Sequence, residues 1–256
     1  MPIADLLNLQ QLLLFVISLV ANIFSAFAGG GAGLIQFPAL IFLGLPFGIA
    51  LATHKVASVA LGVGATMRNL REGSLNKKLV FAMLIGGLPG VVVGASVILF
   101  VPDRSAEIAL GLLTIGLGVY SAIKPSLGME TRQVQFTTRT MTIGSGILFI
   151  IGVLNGSLTS GTGLFVTLWL VRWFGLDYKR AVAHTLILVG LFWNGSGAIT
   201  LGMLGNIAWD WLPALLLGSL LGGYIGAHLA IIKGNRWIKR LYEVITIIVG
   251  GKLIFG

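Results

Sequence analysis

Three long runs of this 256-residue chain carry no charge: between Asp5 and His54, between Lys78 and Asp103, and between Arg139 and Arg172. Each reaches or exceeds the roughly 20 residues that a bilayer-crossing helix needs. In hydrocarbon every backbone N–H and C=O must be satisfied within the chain, which leaves helices or closed barrels. A barrel would show short alternating segments, whereas these runs are continuous. Charged residues make up 10% of the chain, against about 25% in soluble domains, and mean hydropathy is +0.99. The 37 glycines suit closely packed membrane helices. With no cysteine, disulfides and thiolate metal sites are excluded. Met1-Pro2-Ile3-Ala4-Asp5 lacks a basic start, so a cleaved signal peptide is not expected.

Two of the apolar runs are interrupted by glycine: Gly29-Gly30-Gly31-Ala32-Gly33-Leu34 and Gly161-Thr162-Gly163-Leu164. Other pieces repeat as well. Gly44-Leu45 and Ala50 to His54 match Gly175-Leu176 and Ala181 to Thr185, while Gly86, Gly90 and Gly94 match Gly218, Gly222 and Gly226. Internal similarity at a nearly constant spacing reads as a duplication. The expected organisation is a first membrane repeat over 1–123, a polar linker over 124–138 and a second repeat over 139–256. Each repeat would be a glycine-broken helical hairpin followed by three transmembrane helices, in an all-α polytopic protein.

Fourteen of the 17 Lys and Arg residues fall in four segments, 68–78, 124–139, 172–180 and 233–240. The positive-inside rule places all four in the cytoplasm. Following the chain from those points makes the repeats inverted, with both termini outside. Segment 34–43 is short for a full crossing, so the broken segments are full hairpins or re-entrant pieces. Inverted repeats that meet at a midplane site are the pattern of alternating-access transporters. Placed in short loops beside helices, the basic residues need no nucleic-acid partner.

Candidate site residues cluster around the breaks. In the first half they are Asn22, Ser25, Gly31, Gly33, Gln36, Thr53, His54 and Lys55; in the second, Asn155, Thr159, Ser160, Thr162, Gly163, His184, Thr185 and Asn194. A helix restarting after a break presents unpaired N–H groups and a partial positive charge, which suits anions. Helices restarting after Gly33 and Gly163 would aim such ends inward. The bland alternative is that the glycines only allow a hairpin and close packing. Lys55 lies some five to seven residues into a helix, about 10 Å at 1.5 Å per residue. A charge there costs about 2.5–3.5 kcal/mol on insertion scales. No acidic residue lies in a helix near it in sequence, so a bound anion would supply its counter-charge, unless its stem carries the ammonium to the headgroups. His54 and His184 sit at nearly equivalent repeat positions and could carry protons or simply be satisfied by carbonyls. Trp193-Asn194 is a candidate cavity wall. No metal site is expected, because His228 has no further ligands nearby in sequence. Neither H-E-x-x-H nor a GxxxxGK[ST] phosphate loop occurs, so neither a zinc protease nor an ATPase is expected.

These pieces, in this order, resemble the sulfite exporter TauE/SafE family: the Gly29–Leu34 break with Pro38, Gly44-Leu45-Pro46, Ala52 to Val56, Gly73 to Asn76, Gly152 to Gly163, Ala181 to Thr185, and Gly222 to Gly226. The resemblance implies an inner-membrane secondary transporter of a small sulfur-containing or organic anion such as sulfite, thiosulfate or sulfoacetate, driven by a proton or sodium gradient, with no cofactor. The second half has Leu186 where repeat symmetry would put a lysine, so a symmetric two-lysine site is not expected. The alternatives are a passive anion channel of the same fold and a non-transporting membrane assembly factor.

Overall fold

A computed structural model describes residues 3–73, 75–97, 103–158, 161–204 and 207–255. Residues 98–102 and 205–206, and the candidates Thr159 and Ser160, lie outside the described residues. All regular structure in that set is helical. The first half contains α1 (Ile3–Ala28), a single 3-10 turn (Ala32–Leu34), α2 (Gln36–Phe42), α3 (Phe47–Asn69), α4 (Lys77–Val97) and α5 (Asp103–Ile123). The second contains α6 (Thr138–Leu158), α7 (Thr162–Arg172), α8 (Tyr178–His184), a π-helical stretch (Thr185–Trp193), α9 (Asn194–Leu204), α10 (Leu212–Lys233) and α11 (Asn235–Phe255). Among the described residues, six helices are long and apolar enough to cross a membrane. The chain is an all-α polytopic membrane protein.

Both broken segments are a long helix followed by a short one. At 1.5 Å per residue, α2 rises about 10 Å and α7 about 16 Å, well short of a roughly 30 Å hydrocarbon core. Each return leg is therefore a half-helix. The first break runs through Gly29, Gly30 and Gly31, all at positive φ. Ser25 O accepts from both Gly29 N and Gly30 N and closes the end of α1.

The halves are interleaved. α1 lies along α10 and α6 along α4, so each long hairpin helix packs on a helix of the other half. Glycine makes this possible. A Cβ on Gly86, Gly90 or Gly94 would come within 2.7 Å of Ser145 O, Phe149 O or Val153 O, and one on Gly218, Gly222 or Gly226 would do the same at Phe15 O, Leu19 O or Ile23 O. Small residues let backbones approach in this way. The same contact recurs with partners 130 positions apart. The sequence had suggested only that these ladders pack; the partner helices emerge from the structure.

Candidate functional site

The two breaks meet. A Cβ on Gly30 would lie 2.6 Å from Gly163 C, so the chains touch backbone to backbone. Thr167 Oγ1 donates to Gly29 O at 2.7 Å and ties α7 to the first break. Beside this contact lies a cavity of about 40 Å³, room for about three waters or one small ion. Of the candidates, Ser25, Gly31, Gly33, His54, Asn155, Thr162, Gly163, Thr185 and Asn194 line it. The π-helical stretch contributes Thr185, Leu186, Val189 and Gly190 to the wall. Helices of this type often mark functional sites.

Lys55 stands behind this wall, with a fully buried side chain. The expectation that it lacks a protein partner is corrected. Its Nζ donates to Asn155 O (2.6 Å), Asn155 Oδ1 (2.8 Å) and Asn194 Oδ1 (3.3 Å). All three acceptors are neutral, and no carboxylate pairs with Lys55 among the described residues. The ammonium is hydrogen-bonded while its charge stays uncompensated. It also orients both amides: with their oxygens turned to Lys55, their nitrogens face away. Asn155 Nδ2 donates to Thr162 Oγ1 at 2.8 Å, at the first residue of α7.

Gln36 and Asn22 form a layer behind His54. Gln36 Nε2 donates to Ser18 Oγ (3.2 Å), which leaves Oε1 to accept from His54 Nδ1 (3.1 Å). His54 Nε2 is hydrogen-bonded to Ser58 Oγ at 3.2 Å. The Gln36 oxygen can only accept, which places a proton on His54 Nδ1. Asn22 Nδ2 donates to Ser18 O (2.7 Å) and Ser219 Oγ (3.0 Å). Its Oδ1 is buried with no partner among the described residues. Ser18, Ser58 and Ser219 did not stand out in the sequence. Ser18 could have been found as one helical turn from Asn22, and Ser58 as one turn from His54.

Thr53 and His184 do not line the cavity. Ala208 N donates to Thr53 Oγ1 at 3.0 Å, and Asn76 N donates to His184 Nε2 at 2.9 Å. Each residue thus pins the loop that follows a spanning helix of the other half. Position 53 matches 184, and 76 matches 208, so these are the same latch made twice. His184 Nδ1 faces Arg180 O at 2.8 Å. The match of His54 is therefore Thr185, and each pairs with a half-helix residue: His54 with Gln36, and Thr185 with Thr167 at 3.0 Å. The two histidines do different work.

Helix restarts at the two breaks also differ. α7 begins at Thr162, with Gly161 in the left-handed region just before it. After Gly33 the chain instead completes a 3-10 turn, and α2 begins only at Gln36. Trp193 is buried and donates to Met83 O at 3.0 Å, outside the cavity wall that its neighbour Asn194 joins.

A family profile described as sulfite exporter TauE/SafE matches residues 14–253. A Haemophilus influenzae protein named probable membrane transporter protein is 28% identical over 244 residues, 95% of this chain and 94% of that one. A Sinorhizobium protein named probable membrane transporter protein ORF9 is 30% identical over 242 residues, 94% and 91% of the two chains. The Escherichia coli K12 protein named probable membrane transporter protein YfcA is 27% identical over 245 residues, 94% and 88%. No solved structure matches the chain. With its profile covering nearly the whole length and its relatives named as membrane transporters, the chain belongs to the sulfite exporter TauE/SafE family.

Proposed function

We propose that this protein is a secondary transporter that exports a small sulfur oxyanion or sulfonate across the cytoplasmic membrane, bound where the two breaks meet. The observation that carries this reading is Lys55: a buried ammonium held, among the described residues, by neutral oxygens. A lone buried cation is costly, and an anion in the adjoining cavity would offset it. The anion would accept from the amide nitrogen of Asn194, the hydroxyls of Ser25, Thr162 and Thr185, and the first N–H groups of α7. That helix end adds partial positive charge. Among the described residues no charged side chain lines the cavity, so Lys55 behind its wall is the nearby charge that would favour an anion. At about 40 Å³ the cavity suits sulfite better than a longer sulfonate.

On this reading the repeats are inverted, and the two latches are the gates. The Asn76–His184 latch would close the cytoplasmic side, beside the basic loops, and the Ala208–Thr53 latch the outer side. With both made, the site would be latched on its two aqueous sides, an arrangement that suits a carrier with two gates better than a passive channel. The coupling ion is a proton or sodium. Sodium would find oxygen at Asn22 Oδ1, and then sodium-driven flux should be lost in Asn22→Leu. The test of the main reading is sulfite and thiosulfate counterflow in proteoliposomes. Saturable, trans-stimulated flux that Lys55→Met abolishes is expected. Linear flux without trans-stimulation would indicate a channel, and undiminished flux in Lys55→Met would sink the site. Single cysteines in this cysteine-free chain would test the orientation: those at 76 should label from the cytoplasm and those at 208 from outside.

A further inference from the structure

The first half-helix leaves a gap that the second does not. Between α1, α2 and α11 runs a groove of about 570 Å³, open to the lipid-facing surface and walled by apolar residues such as Phe24, Pro38, Ile245 and Ile248, with Lys252 at one end. At its inner end it reaches Ser25, Gly30 and Gly31, which also wall the central cavity. In the second half the matching gap is filled. Trp169 and Trp173 stack with ring centroids 5.0 Å apart, and their indole nitrogens donate to Gly144 O and Thr140 O on α6. At the 131-position offset that aligns Gln36 with Thr167, their counterparts are Pro38 and Phe42. Pro38 cannot reach across, and Phe42 points outward, 95% exposed.

We propose that this groove seats an acyl chain of an anionic phospholipid, with its headgroup at Lys252 and its tail closing the side of the central cavity at Gly30 and Gly31. Length supports the assignment. From Leu241 to Lys252 α11 rises about 16 Å, close to half of the roughly 30 Å hydrocarbon core, one leaflet deep. Charge supports it too. Lys252 is exposed, has no ion-pair partner among the described residues, and is the one charged residue of the groove. The proposal does not depend on the identity of the transported anion.

The test is photocrosslinking in nanodiscs with phosphatidylglycerol carrying a diazirine on its acyl chain, mapped by mass spectrometry. Adducts should concentrate on α2 and on α11 between 241 and 252. Pro38→Trp, which copies the second half, should remove them. Ile248→Trp fills the groove from a position already 65% exposed and covers the case in which the proline variant fails to fold. Lys252→Ala should reduce the preference for phosphatidylglycerol over phosphatidylcholine about fivefold, the worth of one lysine at a charged lipid surface. Adducts spread evenly over all lipid-facing helices, retained in both tryptophan variants, or joined by crosslinks between two copies of the chain through this face would overturn the proposal. An unchanged lipid preference in Lys252→Ala would do so as well. The assay reads lipid contact and not flux, so its failure leaves the transport reading standing.

Discussion

Lys55 and Asn155 behave differently because one carries the charge and the other only receives it. Lys55→Met removes an ion whose desolvation costs several kcal/mol and leaves carbonyl oxygens short of a donor, so the two effects largely offset. Asn155→Leu leaves the ammonium buried and removes one acceptor, a loss of about 1.5–3 kcal/mol for a hydrogen bond to a charged group. Thermal unfolding in detergent should therefore find Asn155→Leu less stable than Lys55→Met; the reverse order would refute this account of the site. Glycines separate in the same way. Gly30→Ala combines positive φ with overlap on the Gly163 backbone and should cost about 3 kcal/mol or more. Gly44→Ala meets nothing within 4 Å and should cost only its φ strain, about 1–2 kcal/mol. Equal losses in an unfolding assay would show that close approach at Gly30 does not matter. The sequence singled out Lys55 by its place in an apolar run, yet its acceptors stand 100 and 139 positions away. One is a backbone carbonyl, which no composition or spacing reveals.

On the proposed reading, short helices and their loops carry the switching parts. Thr53→Val and His184→Ala each remove the acceptor of one latch and should bias the protein in opposite directions. Cysteine labelling of cavity positions should rise from the outer side in the first and from the cytoplasmic side in the second. The same side responding in both would remove the gate assignment. Near the His184 latch, Glu72 accepts from Arg68 (3.1 Å) and Lys179 (3.4 Å), linking the end of α3 to the start of α8. Those hydrogen bonds hold its carboxyl below the usual carboxylate range, Arg68 first and Lys179 second. A lowered value means the tie is complete above the ordinary glutamate range and is lost as pH falls through the depressed one. Acidification should therefore raise labelling at cytoplasmic positions in the parent and not in Glu72→Gln; identical acid responses would dismiss the tie. Half of each latch was legible: Thr53 and His184 stood out as polar groups within apolar helices. Their partners are backbone N–H groups of Ala208 and Asn76, and every residue but proline has one.

Across the whole molecule, the halves exchange helices, α1 packing on α10 and α6 on α4. Expressed alone, 1–123 should fail to give a monodisperse product, whereas co-expression with 124–256 should restore one by size exclusion; a stable isolated half would contradict the interleaving. The glycine breaks were readable because glycine runs are local signals. The exchange was not, because a glycine ladder accepts any helix that offers a row of carbonyls. One consequence concerns synthesis. Ser18 meets Ser219, 201 positions later. At about 5–20 residues per second, α1 waits roughly 10–40 seconds for α10 to be made. Throughout that interval Ser18 and Asn22 lack Ser219 and have Gln36 of the same hairpin as their polar company, so the nascent first hairpin must hold its own polar groups together until the second half arrives.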